Sequence, residues 1–214
     1  MIHPSQRPLA RETDRNETQA NQSPDGEQGQ AWTSFQSGIN TLRGQTWPTR
    51  RRIKAGDILS FTCFPTVAGY GTALRRTLFL GEPDARALQT WATNLNIRQH
   101  ALEVIRPGTT CRKIERELDE TRADHSWRHL SDRNHRVRLL AHPYGPWAGR
   151  ETIRDLDIAL EPGMLVSLRV TSAVAQHEPG AGVYGDTDVL FVNETGAELL
   201  TAFPAGPEHN LLTG

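Results

Sequence analysis

Cysteine is scarce in this sequence: Cys63 and Cys111 are the only two among 214 residues. That excludes the disulfide framework of a small secreted domain, and the pair reads as two thiols in a reducing cytoplasm in preference to a single bridge. Long apolar runs are missing as well. No segment approaches the roughly 18 apolar residues of a spanning helix, and the opening MIHPSQRPLARETDRN carries no apolar core of the secretory kind. Charge of one sign is also absent. With 24 basic and 25 acidic residues the formal net charge is -1, so no overall field draws the chain to nucleic acid or to an anionic membrane. A mean hydropathy of -0.55 is low for a chain packed throughout and implies that part of it lies outside any core. The expectation is a soluble cytoplasmic protein with neither a membrane nor a nucleic-acid partner.

What is present divides near residue 31. From Met1 to Gln30 the only aliphatic residues of any size are Met1, Ile2 and Leu9; the rest is mainly Gln, Asn, Glu, Asp, Arg, Ser and Pro. Such a segment cannot bury enough apolar surface to offset its conformational entropy, so residues 1–31 read as a disordered polar tail and 32–214 as the folded domain. Asp57 to Phe64 and Ala73 to Leu80, rich in β-branched and aromatic residues around a turn at Val67-Ala68-Gly69, predict a hairpin. Glu82-Pro83-Asp84 starts a helix whose apolar stripe is Leu88, Trp91, Leu95, Leu102 and Ile105, and Pro107-Gly108 stops it. A second helix from Thr110 to Asp124 turns Ile114 and Leu118 inward and a dense charged face outward. Strands follow at Val137 to Leu140, Met164 to Thr171 and Val183 to Asn193, closed by a turn at Asn193-Glu194-Thr195-Gly196. Strands, helices and then strands again predict an α+β fold with helices on one face of a largely antiparallel sheet.

Several long segments carry a resemblance. An Arg-rich approach, GD before an apolar strand, then GY, then an RT pair closing the next strand resemble the opening of the catalytic sheet in the pita-bread hydrolases. WTSFQSGINT, GDILSFTCFP, GTALRRTLFLG, PYGPWAG, LEPGMLVS, PGAGVYGDTDVLFVNETGAE and FPAGPEHN are similar, in the same order, to segments of the creatinase branch. The match spans Trp32 to Asn210. It implies a partial pita-bread fold with a curved sheet, a truncated catalytic domain lacking its opening helices, no metal, no cofactor and a dimeric habit. Pairing would then be as a homodimer or with a full-length relative.

The resemblance also implies site positions, and these are altered. The proton-shuttling histidine of the family falls at Gln45, which has no proton to exchange near neutral pH. Its two guanidinium-gripping glutamates fall at Arg75 and Arg169, a pocket tyrosine at Gly71, an arginine at Pro146 and a further histidine at Thr187. His135 survives, with His142 beside it, but within DRNHRVRLL instead of a glycine-rich stretch. The metal-dependent sister enzymes need two aspartates, one histidine and two glutamates; the matching positions here are Thr62, Ala73, His135, Arg169 and Thr187. One such ligand of five cannot hold a hard divalent ion.

Strand alternation sets Arg75 with Ala73 and Thr77, and Arg169 opposite the Val166, Leu168 and Val170 face. At about 5 Å and an effective dielectric near 20, two such charges repel by roughly 3 kcal/mol, which a bound anion would relieve. The alternative is lapsed function with the arginines snorkelling outward, and lapsed function stands ahead of a small-anion site. Other candidates carry less. Cys63 reads as a small buried hydrophobe, Asp186 as solvent-exposed beside Asp188, and Trp91 and Trp127 as packing. Arg128, Arg133, Arg136 and Arg138 read as a solvated strand face, not a nucleic-acid contact. The functional expectation is a creatinase-like hydrolase homologue without turnover, or a non-enzymatic dimerisation or anion-binding module.

Overall fold

A computed structural model describes residues 20–22, 28–43, 49–67, 70–124, 135–142 and 159–212. Among them, ten strands form a single sheet: β1 (Ala20–Gln22), β2 (Gln28–Ser37), β3 (Ile58–Val67), β4 (Tyr70–Gly71), β5 (Leu74–Leu80), β6 (His135–His142), β7 (Leu165–Val174), β8 (Gly182–Val192), β9 (Ala197–Leu199) and β10 (Leu211–Leu212). Its order is β1-β2-β3-β5-β8-β7-β6, with β4 beside β3, β9 beside β8 and β10 beside β5. All pairings are antiparallel except β10 on β5, as the turn signals predict. The β3–β5 hairpin lies where the sequence places it, and its Ala68-Gly69 turn lies outside the described residues.

Pairing also extends into the segment that composition assigns to the tail. Gln28 to Ala31 belong to β2, with Gly29, Gln30 and Ala31 opposite Val67, Thr66 and Pro65, and β1 pairs with β2 in turn. The physical reason is that ladder hydrogen bonds come from backbone, which a polar sequence supplies as well as an apolar one.

Helix α1 (Ala85–Val104) starts at Asp84, whose carboxylate accepts the Arg86 N–H at 2.8 Å. It stops before Pro107, with Gly108 in the left-handed region at φ 80. Its buried face is not the leucine stripe. Ala87, Thr90, Trp91, Thr93, Asn94, Ile97 and Ala101 are buried, while Leu88 and Leu95 only flank the core. Asn94 takes the central position because its amide donates to Tyr184 O at 3.1 Å and accepts from Ser172 Oγ at 2.6 Å, stitching α1 to β7 and β8.

Helix α2 (Cys111–Asp124) turns Ile114 and Leu118 inward as expected. With Ile97, Ala101 and Ile105 they pack on Val166, Leu168, Val170, Leu190 and Val192, so both helices lie on one face. A second cluster joins Trp91, Phe79, Tyr184 and Ile58, with Phe79 edge-on to Trp91 at 5.4 Å. Cys111 is buried and Cys63 only half-buried; both are free thiols, and burial pushes the Cys111 thiol up to about 11. Among the described residues no helix is long and apolar enough to cross a membrane.

Candidate functional site

Several of the positions that the resemblance singles out meet in one cross-strand row. Thr62 on β3 faces Arg75 on β5, Arg75 faces Thr187 on β8, Thr187 faces Arg169 on β7, and Arg169 faces the register position of Arg138 on β6. Directly opposed residues project from the same side of a sheet. Leu168 and Val170, the neighbours of Arg169, are buried under the helices, whereas Arg169 is exposed. The row around Arg169 thus lies on the side away from α1 and α2, because side chains alternate along a strand.

Arg75 is fixed in place. Its Nε donates to Ser60 Oγ at 3.0 Å, and Ser60 is itself buried. Its guanidinium lies across Gly185, where an added Cβ would sit 2.7 Å from both Cζ and Nη1. Burial lowers the Arg75 pKa; the Asp186 charge opposes that fall and the neighbouring charge of Arg169 adds to it. Beyond Arg75 the two strands diverge, and Thr77 fills the gap by accepting the Gly185 N–H at 2.8 Å and donating to Gly185 O at 3.2 Å.

One residue along each strand, the chemistry changes. Arg76 is fully buried and donates from Nη2 to Asp188 Oδ1 at 2.6 Å and to Phe203 O at 2.7 Å. Its Nη1 reaches Arg75 O at 2.9 Å and Thr187 O at 3.0 Å. Asp188 Oδ2 accepts from Arg98 Nε of α1 at 2.5 Å, and Thr201 Oγ1 donates to Oδ1 at 2.6 Å. Burial works against the Asp188 charge, but the Arg98 hydrogen bond and the charges of Arg76 and Arg98 outweigh it and hold its pKa low.

Asp186 is the outlier. The expectation of solvent exposure is corrected: it is 2% exposed, because its place opposite Val170 turns it under the helices. Its Oδ1 accepts the Thr77 N–H at 3.5 Å, its Oδ2 is left without a partner, and burial pushes its pKa up to about 6. This helix-side network was not anticipated from the sequence, although the Asp-x-Asp spacing around Thr187 and the adjacent Arg75-Arg76 pair were its legible signals.

The other expected positions do not join the row. His135 stands opposite Ser172 on β7, three residues from Arg138 and so on the other parity of β6; His142, opposite Leu165, shares the parity of Arg138 but stands four residues along the strand from the row. Gly71 pairs with Thr66 through backbone on β4, and Ala73 is buried just before β5. Gln45, Pro146, Trp127, Arg128 and Arg133 lie outside the described residues.

Comparison with known proteins decides the lineage. The model of metallopeptidase family M24 matches residues 5–197. The chain belongs to metallopeptidase family M24. Within it, the sequence is 44% identical over 193 residues to creatinase from Bacillus sp. (strain B-0618), covering 88% of this chain and 46% of that protein. Among solved structures, prolidase from Pyrococcus furiosus superimposes with a TM-score of 0.64 at 20% identity, covering 81% of this chain and 49% of that one. The Xaa-Pro dipeptidase from Bacillus anthracis gives 0.67 at 19% identity, covering 84% and 48%. The fold is therefore the pita-bread fold, and this M24 chain spans about half the length of the relatives it matches.

The family name implies a metal ion, and the described residues of the row do not fit one. A hard divalent ion needs a cage of oxygen donors, several of them carboxylates. The row offers the Thr187 hydroxyl between two guanidinium groups and the Thr62 hydroxyl beside one of them. The nearest carboxylates are engaged elsewhere: Asp188 by Arg76, Arg98 and Thr201, and Asp186 by the Thr77 N–H on the helix side. Guanidinium groups at the row would repel the ion.

Proposed function

We propose that this chain is a creatinase-like M24 protein that no longer hydrolyses creatine. The supporting observation is the Arg75–Thr187–Arg169 row, which sets cations and a hydroxyl side by side at the positions where the resemblance expects acids and a histidine. Amidine hydrolysis needs a group that takes up a proton from water and returns it to the leaving nitrogen. A guanidinium stays protonated throughout the accessible pH range, and a threonine hydroxyl without an adjacent base is equally inert. The row also bears the wrong sign for the substrate. Creatine presents a guanidinium, and like charges at close range cost several kcal/mol in a partly buried site. The test is urea release from creatine by the purified protein. No release above a heat-killed control is expected, and sustained turnover would overturn the reading.

A further inference from the structure

Resting on that loss of turnover, we infer that Arg75, Thr187 and Arg169 form a binding site for a small oxyanion, a carboxylate or a phosphate group. Four observations carry this. First, Arg75 is positioned rather than splayed: Ser60 holds Nε, and the guanidinium lies over the bare backbone of Gly185. A side chain released from selection would swing toward water instead of staying partly buried.

Second, Nε is the only Arg75 donor with an assigned hydrogen bond among the described residues, which leaves the Nη edges for a ligand. Third, no carboxylate among the described residues lies within ion-pair distance of Arg75, while the charge of Arg169 is felt there. The negative charge felt at Arg75 comes from Asp186, which faces the helices and accepts from Thr77 instead.

Fourth, the spacing suits the ligand. Thr187 stands between the two arginines in register, and two strand spacings put the arginine Cα atoms roughly 10 Å apart. Two arginine side chains across that span can converge on one small anion beside the buried Thr187. Guanidinium groups meet carboxylate and phosphate oxygens with paired, charge-assisted hydrogen bonds. Arg75 is the half-buried, fixed member of the clamp, and Arg169 is the exposed member that closes on the ligand.

Isothermal titration at low ionic strength, with inorganic phosphate and succinate in separate arms and chloride as the control for screening, tests the site. One saturable site per chain is expected, with a Kd on the order of 1 mM. Arg75→Gln weakens it by about tenfold or more, and Arg169→Gln by about threefold. Gly185→Ala also weakens it by displacing the Arg75 guanidinium, while the exposed Arg52→Gln leaves it unchanged. Phosphate binding without succinate binding assigns a phosphate site, and the reverse a carboxylate site.

Absence of saturable heat in both arms, or equal affinity in wild type and Arg75→Gln, would overturn the inference. Should Arg75→Gln lose its native circular dichroism, Arg169→Gln decides, because that side chain is exposed; unchanged affinity there overturns the site. Urea release from creatine would sink the loss of turnover without altering these heats, so the two failures are told apart.

Discussion

Replacing Asp188 by asparagine is the sharpest test of how the sheet is held. Asp188 collects three donors on two oxygens, with Arg76 Nη2 and Thr201 Oγ1 on Oδ1 and Arg98 Nε on Oδ2. Asparagine can keep one acceptor oxygen and must place an NH2 where the other stood. If the oxygen stays with Arg76 and Thr201, the new amide meets the Arg98 N–H donor to donor at a site now spanned by 2.5 Å. If it flips, Arg76 loses its acceptor instead. In both cases a carboxylate charge disappears between two cations. Arg98 keeps 12% of its side-chain exposure and can rehydrate in part; Arg76 keeps none.

Breaking one side of a buried, hydrogen-bonded pair costs about 3–5 kcal/mol, because the remaining charge stays out of water uncompensated. That is a large share of the roughly 5–15 kcal/mol that holds a domain folded. In equilibrium urea unfolding the midpoint is expected to fall by about 1.5–2.5 M for an m-value near 2 kcal/mol/M, with m itself unchanged. A double-mutant cycle with Arg76→Met localises the effect: the pair should cost less than the sum of its members by more than about 1 kcal/mol. A loss below about 1 kcal/mol for Asp188→Asn, or strict additivity in the cycle, would refute the view that this triad anchors β5, β8 and α1.

Further outcomes follow from the same geometry. Asp186 has a folded pKa raised from 3.8 to about 6, so its contribution is fully present below the unfolded value and fades as pH rises through the folded one. Stability should therefore rise by about 1 kcal/mol between pH 7 and pH 5 through this group, and Asp186→Asn should flatten that rise in urea titrations at each pH. Asp57 and Asp188, whose pKa values are lowered, act in the opposite sense and lose stability as pH falls below the ordinary carboxylate range. Asn94→Leu removes the amide donor to Tyr184 O and the acceptor of Ser172 Oγ and should lower stability by about 2–4 kcal/mol in thermal or urea melts, despite its apparent fit to the leucine stripe. Gly182→Ala should destabilise more than Gly185→Ala. Its Cβ would lie 2.2 Å from Ile58 Cδ1 in the core at φ 151, whereas the nearest atoms to the Gly185 methyl belong to the guanidinium end of Arg75, which can shift at the expense of its Ser60 bond.

Much of the fold was legible because its signals are local. The β3–β5 hairpin, the Asp84 start of α1, the Pro107-Gly108 stop and the Asn193 turn each depend on a few adjacent residues. What could not be read was decided across the sheet. The leucines of α1 have the right period, yet Asn94 holds the centre of the buried face, because a backbone carbonyl on β8 and a serine on β7 need satisfying there. Asp186 looks like a surface carboxylate within GDTDV until the β7–β8 register sets it opposite Val170. The pairing of Gly29 to Ala31 on β3 was invisible for a different reason: backbone hydrogen bonding leaves no mark in composition. At the site, the sequence located Arg75, Thr187 and Arg169 individually, and only the register made them one row while setting His135 apart.

The adjacency of Arg75 and Arg76 explains how such a chain can keep its fold with an altered site. Two residues of the same type, one position apart on one strand, occupy opposite sides of the sheet there and do unrelated work. Arg76 is sealed into the triad with Asp188 and Arg98 and ties the strand to helix α1; Arg75 leans on Ser60 and points along the row toward Thr187. The same alternation runs through Asp186, Thr187 and Asp188, and through Leu168, Arg169 and Val170. Core packing constrains one parity tightly, since each buried group there has partners whose loss costs several kcal/mol. The other parity, around Arg75 and Arg169, is only half-buried or exposed and is constrained less. Substitutions can therefore replace acids with arginines on that side at little cost to folding, and reverse the sign of the ligand that the row accepts. Substituting Arg75→Glu together with Arg169→Glu should leave the free energy of unfolding within about 0.5 kcal/mol of wild type while abolishing any phosphate or succinate heat. A large loss of stability in that double variant would show that the two sides are coupled after all.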